Sequence, residues 1–508
     1  MYDIVIVGAG SAGSAIAARA SEDPNRTVLL LEAGPDYSDL ATTPFDLVNG
    51  HDNSYTDHDW SLAYNPTEGR PQRFPRGRVV GGSSAVNTAI ALRGMPEDYD
   101  EWASLGNDEW SWAKVLPAFR RLERDLDYGE AEWHGDAGPI SIRRAPRPEL
   151  TVPQGAFLDA AERLGYPACP DANEPYGWGA GPHPMNKLGR LRVSCAVGYL
   201  APARIRPNLT IRPESFVTRI VVENGRAVAA EVRRADGEIE RVEGRLIVLA
   251  AGAILSPAIL MRSGIGPRAQ LEPHGIVVVR DTPGVGQNLS DHPALSVVCQ
   301  AKDARHVDPD LPIIQTILRY TAPGSPYRND LQIEMITFSK RRDGSAAFAI
   351  AGVVEYQHGR GELSLQSADP DTPPRIENRF CEDERDRSRL VACMKDTLAF
   401  ARTSPIADLS TGFAFPRGGQ ITDEELDGLC RRFSASGYHP SGTAKMGPAS
   451  DPMAVVSQHG CCHGIDGLAV ADASIMPFVP RANTNLTSIM IGEKVGEWLR
   501  TRPALYGL

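Results

Sequence analysis

The chain has 508 residues, of which 42% are hydrophobic and 23% charged, an ordinary globular composition that excludes disordered and collagen-like proteins. One hydrophobic core stops growing near about 250–300 residues, so at least two domains are expected. The formal charge of −11, from 53 Lys and Arg against 64 Asp and Glu, lacks the basic balance of a nucleic-acid protein and suits a neutral or cationic small substrate.

Residues 3–7 (DIVIV) form a near-continuous apolar run, the pattern of a strand buried on both faces. A glycine-rich turn follows at 8–13, then an alanine-rich helix at 14–21 and a second parallel strand at 27–32, making a βαβ opening. No targeting segment is visible ahead of this first strand, which points to a cytoplasmic protein. Residues 35–95 are loop-rich, as expected of a segment that covers a ligand. A helical pattern with Trp102, Trp110 and Trp112 occupies 98–124. Short strands fill 208–250, with Asn224-Gly225 as a hairpin turn between two of them.

The longest uncharged apolar run, 246–261, is too short to span a bilayer and is interrupted by Ser256-Pro257. Residues 296–437 read as a distinct region of strands and helices. Within it 331–338 (LQIEMITF) alternates, with Glu334 on one face, where a carboxylate could select a cationic alcohol. The last 70 residues return to glycine-rich motifs and an amphipathic helix at 486–500. Eight cysteines show no C-x-x-C pair, which suits reduced thiols in the cytosol. Cys461-Cys462-His463 lacks the spacing of a tetrahedral ligand set, so no metal is expected.

Gly8-Ala9-Gly10-Ser11-Ala12-Gly13 is a G-x-G-x-x-G fingerprint with its strand before and its helix after. Gly8 permits the tight turn, Gly10 the close approach of a pyrophosphate, and Gly13 the packing of helix on strand. The helix N-terminus offers free N–H groups to phosphate. Glu32 closes the second strand, where a carboxylate binds ribose hydroxyls. It opposes a 2′-phosphate and so argues against NADP, but it leaves NAD and FAD equal.

Five further stretches decide between them. Residues 77–87 (GRVVGGSSAVN), 252–266 (GAILSP through SGIG), 284–292 (GVGQNLSDH), 439–447 (HPSGTAKMG) and 467–485 (GLAVADASIMPFVPRANTN) resemble, in order, the motifs of the glucose–methanol–choline (GMC) flavoprotein oxidoreductases. The resemblance runs from residue 1 to about residue 500. It implies an α/β (α+β overall) fold, a Rossmann-like FAD-binding domain with a second, substrate-binding domain built on an antiparallel sheet. The expected division is 1–150, 205–295 and 438–508 for FAD, and 151–204 and 296–437 for substrate.

The cofactor site implied by the resemblance comprises Gly8, Gly10, Ser11, Gly13, Glu32, Ala33, Val80, Gly82, Asn87, Ala89, Val217, Asp472, Asn485 and Thr487. Some members attach FAD through a His just before the Asn that aligns with Asn87; Val86 stands there, so FAD is expected to be non-covalent. The expected reaction is oxidation of an alcohol CH–OH by hydride transfer to flavin N5. His439 is the base and Asn485 the second catalytic residue, able to hydrogen-bond the substrate oxygen but not to take its proton. His292 carries no assigned role. A small alcohol, cationic or sugar-like, is the expected substrate, and oxygen or another acceptor the reoxidant. No nucleic acid and no membrane span are expected. The alternative within the family is a flavin-containing hydroxynitrile lyase without net redox.

Overall fold

The computed structural model describes residues 1–339, 343–417 and 421–508. Two seven-stranded sheets organise them. The first centres on the strand Tyr2–Val7, which pairs in parallel with Val28–Leu31 on one side and Ile239–Leu249 on the other. Leu209–Arg212 extends the parallel array beyond Val28–Leu31. Leu468–Val470 joins it in parallel beside residues 247–249.

The strand Ile239–Leu249 serves two pairings, and its sequence shows why. Its first half alternates buried and exposed residues and pairs antiparallel with Arg226–Arg234. Its last four residues, Leu246–Leu249, are buried on both faces and belong to the parallel array. Arg226–Arg234 returns to Ser215–Glu223 through Asn224 and Gly225, with φ of 49° and 78°. Both central residues are left-handed, as a two-residue hairpin turn of this kind requires.

The first helix spans Ser11–Ala20, three residues earlier than its alanine run suggests, because Gly10 is its N-cap and Gly13 lies inside it. A Cβ on Gly13 would sit 1.9 Å from the Gly8 carbonyl oxygen. Only glycine lets the helix approach the strand end this closely. The last helix, Thr484–Thr501, packs across the first at a contact with the same requirement. A Cβ on Gly492 would stand 2.5 Å from the Ala12 carbonyl oxygen, and one on Gly496 2.7 Å from Arg19 Cβ.

The second sheet is antiparallel, in the order Gly179–Pro182, Thr316–Tyr320, Leu331–Ile336, Ala347–Val354, Pro293–Ala301 and Ser410–Phe415. Ala435–Ser436 pairs with the start of Pro293–Ala301. One face rests on the helices Val152–Arg163 and Glu384–Arg402, with Phe157, Phe348 and Phe400 in the core between them. The other face looks into the cavity described below. The expected boundary at 295/296 falls inside Pro293–Ala301, because the strand starts directly after the 284–292 motif.

The apolar run 246–261 is divided between a strand end and the helix Gly252–Arg262. Among the described residues no helix is long and apolar enough to cross a membrane. All eight cysteines are unpaired, and all but Cys461 are buried.

Candidate active site

A cavity of about 830 Å³ lies between the two sheets. Gly8, Gly10, Ser11, Glu32 and Ala33 line one end, followed by Gly82, Asn87, Val217 and Asp472, and then by His439, Asn483 and Asn485. The sheet face over it contributes Ser296, Gln332, Glu334 and Glu355 among others. The cavity thus joins the nucleotide fingerprint to His439.

The fingerprint end fits a dinucleotide. A Cβ on Gly10 would meet only Gly82 Cα, at 3.9 Å, and would otherwise project into open space. Gly82 has φ +52°, and a Cβ there would stand 2.6 Å from Gly10 Cα, so the two glycines close the cradle together. Glu32 is buried; its carboxylate accepts from the Ala9 N–H at 3.0 Å and from the Gly34 N–H at 2.9 Å. Burial pushes its pKa up to about 7, against those N–H groups and Arg78. Asp472 is spoken for by its own chain: Gly252 N–H and Ser256 Oγ donate to Oδ2 and Ser474 N–H to Oδ1, which fixes the starts of two helices beside the cavity. Gly13, Val80, Ala89 and Thr487 stand behind the cavity wall rather than in it; the Thr487 hydroxyl is 2.9 Å from Tyr99 OH.

Two asparagines open the last helix, and they point to different partners. Asn485 Oδ1 accepts from Ser11 Oγ at 2.9 Å, and its buried Nδ2 has no protein partner. An orphaned amide donor beside the glycine cradle is what a flavin ring carbonyl can satisfy. Asn483, the N-cap, donates through Nδ2 to His439 Nε2 at 3.1 Å. The amide against His439 is therefore Asn483. Asn485, the residue expected there, is turned to the cofactor end, because it lies in the first helical turn whereas Asn483 is the N-cap, with ψ of 132° outside the helix.

His439 follows Tyr438, whose φ of +68° is unusual for a residue with a Cβ. Arg76 Nη2 donates to the Tyr438 carbonyl at 2.9 Å. The His439 backbone N–H donates to Asp291 Oδ1 at 2.9 Å, and the His292 N–H to the same oxygen at 2.8 Å. Ser436 Oγ donates to Asp291 Oδ2 at 2.5 Å. The two imidazoles meet edge to face, with Nδ1 2.9 Å from Nδ1. Burial, then His292 and Arg76, hold the His439 pKa well below the ordinary imidazole value. Burial pushes His292 down to about 3. His439 is thus a neutral imidazole with one nitrogen toward Asn483 and the other toward His292. Asn483, Asp291 and His292 were not assigned from the sequence. Only the positions of His292 and Asp291 inside a motif hinted at them.

The comparisons with known proteins agree along the whole chain. Family models described as GMC oxidoreductase match residues 2–294 and 357–492. The 5-(hydroxymethyl)furfural oxidase of Methylovorus sp. is 36% identical over 539 residues, covering 99% of both chains. Oxygen-dependent choline dehydrogenase 1 of Chromohalobacter salexigens is 35% identical, covering 99% of this chain and 96% of its own. The crystal structure of pyridoxine 4-oxidase from Mesorbium loti superposes with a TM-score of 0.91 at 29% identity, covering 99% of each chain.

The chain belongs to the GMC oxidoreductase family. It is an FAD-dependent enzyme that oxidises the CH–OH group of a small alcohol. Nothing in these likenesses favours the lyase alternative.

In this GMC enzyme Glu334 lies in the cavity wall, on the cross-sheet row Glu334–Ala351–Ser296. Its Oε1 accepts from Gln332 Nε2 and stands 3.3 Å from Nε2 of the fully buried His183. Val86 lines the cavity at the position where some family members carry the attaching His. Cys461 Sγ donates to the Leu505 carbonyl and His463 Nε2 faces the Gly447 carbonyl, so these residues serve packing.

Away from the cavity, Glu123, Asp125 and His134 are close enough together to suggest a metal centre. Arginines already answer those carboxylates. Arg93 pairs with Glu123, and Arg144 reaches Asp125 at 2.8 Å and Asp171 at 2.6 Å. His134 bridges Glu123 at 2.7 Å and Asp171 at 2.9 Å. This is a buried ion-pair network that ties the strand after the helix Trp112–Leu122 to Arg93, His134, Arg144 and Asp171.

Proposed function

We propose that His439 is the base of the alcohol oxidation and that Asn483 holds the substrate oxygen beside it. The observation that carries this reading is the His439 Nε2–Asn483 Nδ2 contact of 3.1 Å in the cavity wall. Bound in the glycine cradle, FAD supplies the acceptor for the hydride of the CH–OH carbon. The chain's own residues do the rest. His439, neutral because it is buried, takes the hydroxyl proton at Nε2. The Asn483 amide steadies the oxygen as it gains negative charge. Asn485, the N–H groups of the last helix and the N–H groups of the first hold the cofactor. Asn485 takes no part in proton transfer.

Val86 supports a non-covalent attachment of FAD. Glu334, held by Gln332 with His183 beside it, supports a substrate whose remote end offers positive charge or hydrogen-bond donors, as a cationic or sugar-like alcohol does. Eight unpaired cysteines support a reducing, cytoplasmic setting. Oxygen or another acceptor completes the cycle.

The test is anaerobic bleaching of the yellow holoprotein by a panel containing 5-(hydroxymethyl)furfural, choline and pyridoxine, followed by admission of oxygen. At least one alcohol should bleach the wild type. His439→Ala should retain FAD and lose bleaching by about 10²-fold or more. Undiminished bleaching in His439→Ala rejects the base. Glu334→Gln run on the same panel should weaken the cationic alcohols selectively, and an unchanged order of preference rejects that contact.

A further inference from the structure

Two imidazole nitrogens 2.9 Å apart share one proton, and its position decides what His439 can do. If His439 Nδ1 carries it, Nε2 presents a lone pair to the substrate. If His292 Nδ1 carries it, neutral His439 holds its own proton on Nε2 and is no base. We infer that His292 is the positioning residue of this active site, accepting the His439 Nδ1–H and so fixing the tautomer in which Nε2 carries the lone pair. The inference rests on the reading of His439 as the base.

Three observations support it. The ring of His292 is wholly buried, so solvent supplies it no partner. The Asn483 amide nitrogen meets His439 Nε2 at 3.1 Å and can only donate, so that nitrogen is an acceptor and the His439 proton sits on Nδ1. The His292 nitrogen 2.9 Å from it is then the lone pair. Finally, the pair is built rather than incidental. Asp291 Oδ1 accepts from the backbone N–H of both histidines, and the Gly437 N–H donates to the His292 carbonyl at 2.8 Å. Gly437 also makes room, since a Cβ there would come within 3.1 Å of His439 Nδ1 and 3.3 Å of His292 Cβ.

Glu355 adds a second element. Its Oε2 is buried without a hydrogen-bond partner and lies 3.6 Å from His292 Nδ1. When His439 takes the substrate proton on Nε2, the charge stays on its own ring and the His292 lone pair accepts the Nδ1–H as a charge-assisted hydrogen bond. Burial, which opposes charge on His292, keeps the proton from moving on to it.

The experiment uses holoprotein labelled with ¹⁵N-histidine, as wild type, His292→Asn and His292→Leu. Asn places Oδ1 where the imidazole Nδ1 stood, and Leu removes the acceptor. NMR of the wild type should show His439 protonated on Nδ1, and this tautomer should persist in His292→Asn and be lost in His292→Leu. With 5-(hydroxymethyl)furfural as the probe alcohol, kcat of flavin reduction should fall by about 10²-fold in His292→Leu and recover at least tenfold of that in His292→Asn, with KM moving less than about threefold. A wild-type His439 protonated on Nε2 overturns the inference whether or not the variants fold. So does a His292→Leu enzyme that keeps both the tautomer and the rate. Failure of the base assignment shows elsewhere, as undiminished reduction in His439→Ala.

Discussion

On the proposed reading the two asparagines at the start of the last helix divide catalysis from cofactor binding, and removing them one at a time tests that division. Asn483→Ala deletes the 3.1 Å contact to His439 Nε2. A neutral hydrogen bond is worth about 0.5–1.5 kcal/mol, or roughly 2–13-fold in rate. If the amide also meets an oxygen that is gaining charge, the loss rises to about 10²–10³-fold. Asn485→Ala deletes the bond to Ser11 Oγ and the orphaned Nδ2 donor, without touching His439. Its expected cost is weaker FAD, by about tenfold in affinity from one or two such bonds. The assay is stopped-flow reduction of FAD-saturated enzyme, paired with FAD titration of the apoprotein by flavin fluorescence. Asn483→Ala should lower the reduction rate at near-normal FAD affinity, and Asn485→Ala should do the reverse. The opposite pattern, with Asn485→Ala the slower enzyme at saturating FAD, refutes the assignment of roles.

Gly82→Ala places a Cβ at φ +52° and 2.6 Å from Gly10 Cα. The left-handed conformation costs about 1–2 kcal/mol and the backbone shift adds to it, so the variant should purify largely without FAD and melt lower than wild type by differential scanning fluorimetry. A yellow protein of unchanged melting temperature counts against the cradle. His134 supplies a pH signature: burial opposes its charge, but hydrogen bonds to Asp171 and Glu123 outweigh burial and raise its pKa. A raised folded pKa gives stability that is complete below about pH 6.5 and is lost as pH rises through the folded value. The melting-temperature gap between wild type and His134→Gln should therefore shrink from pH 6 toward pH 9, and a constant gap argues against a charged His134.

The nucleotide half of the fold was legible because its chemistry is local. The fingerprint, its strand and its acid lie within 32 residues, and Asn224-Gly225 dictates its own hairpin. Even the double role of Ile239–Leu249 is written as alternation followed by an unbroken apolar run. The helix start at Ser11 was misplaced because its first turn is made of glycine, serine and alanine, which carry no periodic signal. The choice between Asn483 and Asn485 was illegible for a geometric reason. Asn483 is the N-cap, outside the helix, and Asn485 lies in its first turn, so where the helix starts and how it packs decide which one meets His439. The His292–His439 contact spans 147 residues, and nothing in either neighbourhood announces it.

That contact follows from sheet register. Pro293 pairs with Ser436 and Ala294 with Ala435, and the ladder continues through the Gly437 N–H to the His292 carbonyl. The strand pair runs antiparallel, so the residue before one strand meets the residues after the other, and the histidines converge at the sheet's end. Asn483 arrives by a different route, on a helix seated through Gly492 and Gly496 against the fingerprint helix. His439 thus belongs to the edge of the antiparallel sheet and its amide partner to the nucleotide half. A 3.1 Å contact between them holds only while the two halves keep one relative placement. Variants that loosen the Gly492 contact, far from the cavity, should therefore act on the chemistry through this single distance, because a shift of about 1 Å is enough to cost on the order of 10²-fold in rate.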